Sequence, residues 1–236
     1  MSEPVRLDKR VAELAGCSRA QAQQYIEGGW VRVDGAVVEE PQAPVAAERV
    51  ELDPDARLEP AEPATMVLNK PAGVDFKNAA ALVLAAAHAE GDASGVRMLK
   101  RHFQRLTPLM PIDAEASGIV VLSQDGRVWR RLTEDYALIE QEFVVEVSGE
   151  LGPYGLKRLE HGLDYRGRPL APCKVSWQNE TRLRFAIKNL QGGQLRHMCE
   201  QVGLSVVSIK RLRIGRISLS KMPVGEWRYV PASERF

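Results

Sequence analysis

The sequence predicts an α+β protein in two parts, with a small helical-hairpin domain over 1–55, a linker over 56–64 and a larger domain over 65–236. Three observations carry this reading. Near the N-terminus, helical periodicity gives way to a strand–turn–strand pattern. Residues 53–64 (DPDARLEPAEPA) then hold three prolines and several acids, the composition of a linker. Beyond them, short alternating or all-apolar runs outnumber helical ones and follow each other in hairpin-like succession, as in an α+β domain. A chain of 236 residues is long enough to bury a core on this plan.

In chain order, residues 8–15 carry Val11, Leu14 and Ala15 at helical spacing, and Gly16 ends the run. Ser18-Arg19-Ala20-Gln21 reads as a capping box that starts a second helix, which ends at about Glu27 before Gly28-Gly29. Val31-Arg32-Val33 and Ala36-Val37-Val38 flank Asp34-Gly35, and such a pair favours a type I′ hairpin because both central positions need φ > 0. A further short strand is expected near Arg49–Leu52. The second part opens on a strand, Met66 to Lys70, closed by Pro71. The alanine-rich stretch 78–90 is expected to be helical, with Asn78 as its cap. Ile119–Leu122 suits a strand buried on both faces, and Gly126–Asp135 a helix. Phe143–Val147 and Arg182–Ile187 alternate as strands, Gln194–Val202 is helical up to Gly203, and Ser205–Ile209 and Ile214–Leu219 are strands.

Composition narrows the function. No run approaches the ~18 apolar residues of a membrane span, and MSEPVRLDKR has no apolar signal region, so a soluble cytoplasmic protein is expected. Cys17, Cys173 and Cys199 are widely spaced, and the four histidines (His88, His102, His161, His197) lack ligand spacing, so neither a disulfide framework nor a metal site is expected. No phosphate-cradling glycine motif is present, so no nucleotide cofactor is expected. Residues 1–60 carry 7 Lys+Arg against 12 Asp+Glu, a net −5, and the remainder carries 25 against 19, a net +6. The basic side chains Lys210, Arg211, Arg213 and Arg216 form a cluster of the kind that binds phosphates, or alternatively a charged strand edge.

Arg6-Leu7-Asp8, Ser18-Arg19, Ala22, Tyr25-Ile26, Gly29, Val31, Val33 and Asp34-Gly35 together resemble an S4 RNA-binding domain over about residues 5–52. The resemblance implies that Arg6, Lys9, Arg10, Arg19 and Arg32 present positive charge to structured RNA. The net −5 of this part then requires a basic face with the acids elsewhere.

Four stretches of the second part resemble the catalytic domain of the RsuA-type bacterial ribosomal-RNA pseudouridine synthases. They are Leu68–Gly73, Ile112-Asp113 with Ser117–Gly126, Glu140–Val147, and Gly192–Met198 with Gly203 and Gly225–Arg228. Details around Cys173, Cys199 and Trp227 look closest to the large-subunit synthase F type. The resemblance implies a domain built on a central mixed, largely antiparallel sheet. It also implies isomerisation of a uridine in ribosomal RNA, or in an assembling ribosomal subunit, without cofactor or metal; the absence of coiled-coil heptads separately suggests a monomer. Asp113 stands at the family's catalytic carboxylate, which acts as nucleophile or as base on the sugar. Arg196 stands at the family's basic position and is the expected partner that keeps the aspartate ionised. Phe143 stands at the stacking aromatic, and Lys70 and Gln194 are expected at the substrate. Lys210, Arg211 and Arg213 are expected on RNA.

The chain also departs from the family pattern. Met110-Pro111-Ile112-Asp113 replaces Gly-Arg-Leu-Asp, Ala116 replaces Thr, Gln141 replaces Lys, Phe143 replaces Tyr and Gly193 replaces Arg. Pro111 has no N–H and no charge to hold the place of an extruded nucleotide. These changes keep open a catalytically weak or inactive RNA-binding paralogue acting in ribosome assembly. An S4-linked module for some other partner is a further alternative.

Overall fold

The computed structural model describes residues 3–60 and 62–236, so the first two residues and Ala61 of the expected linker lie outside the described residues. The chain divides into two compact units. The first comprises 1–63 with 96–104, and the second 64–95 with 105–236.

In the first unit a short strand β1 (Val5–Arg6) leads into α1 (Leu7–Ala15) and α2 (Arg19–Glu27). Four short strands follow: β2 (Val31–Val33), β3 (Ala36–Val37), β4 (Pro44–Val45) and β5 (Val50–Leu52). The capping box forms as the sequence predicts. The Gln21 N–H donates to Ser18 Oγ at 3.3 Å, and the Ser18 N–H donates to Gln21 Oε1 at 2.9 Å. Asp34 (φ 49°) and Gly35 (φ 82°) make the hairpin turn between β2 and β3. Leu7, Val11, Ala22, Ile26, Val31 and Val45 form the core. Residues 96–104 belong to this unit although the chain reaches them only after the linker. There the Arg97 guanidinium lies 3.7 Å from the Trp30 ring centroid and donates to Gly29 O at 3.0 Å.

The second unit adds β6 (Thr65–Lys70), β7 (Thr107–Leu109), β8 (Ser117–Ser123), α3 (Gly126–Thr133), β9 (Gln141–Gly149), α4 (Gly155–Glu160) and the small hairpin β10 (Asp164–Tyr165) and β11 (Arg168–Pro169). It ends with β12 (Lys174–Asn179), β13 (Arg182–Ile187), α5 (Gln194–Glu200), β14 (Leu204–Ile214), β15 (Ile217–Ser218) and β16 (Trp227–Tyr229). One sheet runs β12-β13-β9-β14-β8-β6-β16, with β15 on β14 and β7 on β8. Only β14 and β8 run parallel among the described pairs, so the sheet is mixed and largely antiparallel. At this parallel pair Arg211 lies opposite Gly118, and a Cβ on Gly118 would sit 2.1 Å from Arg211 O. With φ +105° as well, only glycine lets the two strands close. Two apolar clusters pack on the sheet. Phe143, Val145, Phe185, Leu195, Met198 and Leu204 belong to one, and Val67, Leu109, Ile119, Val121, Leu132 and Ile214 to the other.

Two expectations are corrected. The alanine-rich stretch is not an α-helix but two short 3-10 segments, Phe76–Leu82 and Ala85–Ala87, and the first is capped by Asp75 rather than Asn78. Tertiary contacts take the polar groups that a helix would use. Leu84 O accepts from Trp227 Nε1 at 2.7 Å, and the Ala89 N–H donates to Trp227 O at 2.8 Å. The strands expected at 205–209 and 214–219 are instead one 11-residue strand, β14, followed by β15. Register shifts at Val206/Ser208 and Arg211/Arg213 interrupt its alternation, which is why its pattern reads as broken. No described helix is long and apolar enough to cross a membrane.

Candidate active site

The loop from β7 to β8, residues 110–116, is held from beneath by two buried cations. Arg211 on β14 donates through Nη2 to Met110 O at 2.8 Å and through Nη1 to Pro111 O at 3.4 Å. The same guanidinium reaches Ile119 O at 2.8 Å and Gln141 Oε1 at 3.0 Å. Lys70, the last residue of β6, donates through Nζ to Pro71 O, Val74 O and Ala114 O at 2.9, 2.8 and 3.0 Å. Burial pushes the Arg211 guanidinium down to about 9. It also lowers the Lys70 ammonium, with the nearby Arg211 charge as a second cause. Each cation instead finds its compensation in backbone carbonyl dipoles.

Asp113 stands exposed on this tethered loop. Its Oδ2 accepts the Gly193 N–H at 3.0 Å. Gly193 has φ +76° and precedes α5, so a left-handed backbone aims that N–H at the carboxylate. The Tyr165 hydroxyl donates to Gly192 O at 2.7 Å and ties the β10–β11 hairpin to the same two glycines. Asp113 opens into a cleft of about 660 Å³ lined by residues of both apolar clusters, among them Met110, Leu132, Phe143, Leu195 and Ile209. Phe143 is among the residues that line the cleft, with its side chain fully buried in the first apolar cluster. Tyr136, which donates to Leu190 O at 2.5 Å, also lines it, and burial raises its phenol. The arrangement offers a carboxylate beside an apolar, aromatic-lined space, which fits a planar base with its sugar turned toward the acid.

The structure places the expected site residues unequally. Asp113 and Phe143 meet in the cleft. Arg196 does not pair with Asp113; its guanidinium is exposed and donates to Val206 O at 3.3 Å. An exposed carboxylate is solvated by water and needs no buried counter-ion. Lys70 and Gln194 do not line the cleft. Lys70 tethers the loop, and Gln194 accepts the Gln191 N–H through Oε1 at 3.0 Å inside the fold. Arg211 is fully buried, so it cannot meet a phosphate. Arg213 is held by Glu140 and Glu142 at 2.7 and 2.9 Å, and Glu142 also takes Arg184. Burial works against ionisation of Glu142, but the hydrogen bonds from Arg184 and Arg213 outweigh it and keep its carboxyl low. Lys210 is half-buried on β14.

In the first unit Arg6, Lys9, Arg10, Arg19 and Arg32 are all exposed. Asp8 beneath them is buried, and Arg6 and Arg19 bond to it at 2.9 and 3.1 Å. This acid therefore orients the basic face instead of opposing it. Reading by residue type missed Trp129, Tyr136 and Arg166 in the cleft wall, and nothing local in the sequence marks them. No group of three or more His, Cys, Asp or Glu among the described residues could hold a metal ion.

Residues 5–50 match the S4 domain family. Over 231 residues, 95% of this chain and 74% of the relative, the sequence is 29% identical to the dual-specificity RNA pseudouridine synthase RluF of Escherichia coli K12. The RluF of Salmonella typhi is 28% identical over 94% of this chain and 74% of its own. The ribosomal large subunit pseudouridine synthase B of Bacillus subtilis is 27% identical over 97% and 93% of the two chains. A crystal structure of a pseudouridylate synthase superposes with a TM-score of 0.61 over 97% of each chain at 22% identity, which establishes the fold. With an S4 domain match at its N-terminus and these relatives along nearly its whole length, the chain is similar to the RNA pseudouridine synthases of the RluF and RluB kind.

Proposed function

We propose that this protein converts a uridine of ribosomal RNA to pseudouridine, with Asp113 as the catalytic carboxylate. The observation that carries the reading is the Asp113 side chain, fixed by the Gly193 N–H at 3.0 Å, at the mouth of a cleft lined by Phe143. The uridine leaves its stack at a cost of a few kcal/mol and enters that cleft, whose apolar wall includes the buried Phe143. The N1–C1′ bond breaks, and Asp113 either adds to C1′ or takes a sugar proton. The uracil turns, C5 bonds to C1′, the hydrogen on C5 leaves as a proton and N1 gains one. The change is an isomerisation, so atoms and electrons balance without a redox partner.

The names of the RluF and RluB relatives support RNA as the substrate, and that of RluB supports the large ribosomal subunit. Structured RNA is the partner of the basic face on the first unit, with the protein acting as a cytoplasmic monomer on rRNA or an assembling subunit. A second reading, an RNA-binding paralogue without turnover, is favoured because no cation among the described residues bonds to Asp113 and Phe143 has no hydroxyl. The test is tritium release from [5-³H]uridine-labelled transcripts of the large- and small-subunit RNAs. Release from the large-subunit transcript is expected. Release from the small-subunit RNA alone would overturn the substrate, and release from neither transcript nor from immature subunits would favour the paralogue.

A further inference from the structure

The cleft that holds Asp113 has a wall that the chemistry on uridine does not use. Trp129 on α3 lines it while 47% exposed. Its neighbours Val128 and Leu132 turn into the apolar cluster, but the indole makes no ring contact with any described residue. Thr133, one turn on, also lines the cleft, and its hydroxyl donates to Trp129 O at 2.7 Å. An indole exposed beside an apolar cleft, with no ring of a described residue against it, leaves a face free to stack on a ligand.

Among the described residues, two cleft-lining side chains are charged, Asp113 and Arg166. Arg166 sits at the tip of the β10–β11 hairpin with φ 52°, a backbone conformation that glycine, asparagine and aspartate adopt far more readily. The hairpin is pinned by Tyr165 to Gly192 and by His197, whose Nε2 lies 3.0 Å from Asp164 O and whose ring packs at a tilt against Tyr165, with centroids 5.1 Å apart. The tip is thus fixed to the backbone that holds Asp113. The Arg166 guanidinium bonds to no acid among the described residues; it lies 5.0 Å from the Tyr165 ring centroid. By contrast Arg127, Arg130 and Arg131 on α3 each have an acidic neighbour, Asp125, Glu134 and Asp135. A phosphate entering this cleft meets repulsion from Asp113 and finds its counter-charge at Arg166.

We propose that Trp129 and Arg166 form a site for a nucleotide next to the one that is isomerised, with Trp129 stacking on its base and Arg166 taking its phosphate. This deepens the reading of the cleft as a uridine site and rests on it. When the target base leaves the helix its neighbours lose a stacking partner, and an exposed ring beside the cleft supplies one. A ring accepts any base, so the pair sets affinity and local strand path more than sequence.

The test uses the full chain and in vitro transcribed large-subunit RNA. Trp129→Ala, Trp129→Phe and Arg166→Ala are compared with wild type for KM and kcat in tritium release, for equilibrium binding by filter retention, and for thermal midpoint. Trp129→Ala is expected to raise KM and Kd about 5- to 100-fold, with kcat and thermal midpoint held and with Phe restoring most of the loss. Arg166→Ala is expected to flatten the plot of log affinity against log salt by about 0.7. Wild-type KM and Kd in Trp129→Ala would overturn the stacking role. A loss of kcat in Arg166→Ala with an unchanged salt slope would show that the arginine serves Asp113 and not a phosphate. If wild type releases no tritium the isomerase reading fails, and the filter-binding comparison still decides the rim site by the same criteria.

Discussion

Lys70→Met separates a scaffold role from a substrate role at a residue that its position alone suggests is a ligand for substrate. Lys70 is 0% exposed, and its ammonium donates to three carbonyls at 2.8 to 3.0 Å. Methionine fills most of the stem's volume but donates nothing. Ala114 O keeps the Gly73 N–H at 2.9 Å, so Pro71 O and Val74 O bear most of the loss. An unsatisfied carbonyl costs about 1–3 kcal/mol when buried; Pro71 and Val74 are half-buried, so water offsets part of two such losses, as does release of the ammonium from its own desolvation cost. The net expectation is destabilisation of about 2–4 kcal/mol. The loop that carries Asp113 also loses one of its two cationic tethers, and a displacement of about 1 Å at a reacting group can cost about 100-fold in rate. Urea unfolding with a fixed m-value gives the first quantity and single-turnover tritium release the second. A Lys70→Met protein with wild-type stability and a raised KM would place the ammonium on the substrate and refute the tether.

Three other substitutions test the fold around and beyond the site. Gly118→Ala puts a Cβ 2.1 Å from Arg211 O in a backbone at φ +105°, and urea melts should show a loss of about 3–5 kcal/mol. Met110 holds φ +62° but is only 2% exposed. Met110→Gly relieves about 1 kcal/mol of backbone strain and gives up about 2–5 kcal/mol of side-chain burial. A net loss in the same melts is therefore expected, and a gain would show that strain dominates. Burial alone would raise the Asp8 carboxyl, but hydrogen bonds from Arg19, Gln23 and Arg6 outweigh it and hold it well below the usual range. Asp8 thus adds stability that is full above about pH 4 and is lost as pH falls through the window beneath the unfolded value. Asp8→Asn should flatten that acid limb, read by Trp30 fluorescence in a background with Trp129, Trp177 and Trp227 replaced by Phe; an unchanged limb would contradict the pairing.

How much was legible follows from how local each cause is. The capping box at Ser18 and Gln21 and the Asp34-Gly35 turn are fixed within four residues, and they form as the sequence predicts. The mixed, largely antiparallel sheet and the S4-plus-synthase plan came from resemblance, and the structure bears them out. Residue roles fared differently because partners decide them. Lys70 bonds Ala114, 44 positions away, and Arg211 bonds Met110, 101 positions away, so resemblance placed Lys70 at the substrate and charge placed Arg211 on RNA, whereas both side chains hold carbonyls. The alanine-rich stretch has helix propensity, but its backbone is used by Trp227. Trp129 and Arg166 come from separate elements, and only folding brings them to one cleft.

The central claim is that Asp113 performs the isomerisation. The direct measurement is the single-turnover rate of tritium release from large-subunit RNA by wild type and by Asp113→Asn, with RNA affinity and urea stability measured on the same preparations. Asparagine keeps an oxygen that can accept the Gly193 N–H but has no negative charge, so affinity and stability should hold while release falls to background. Release at the wild-type rate from Asp113→Asn would contradict the account.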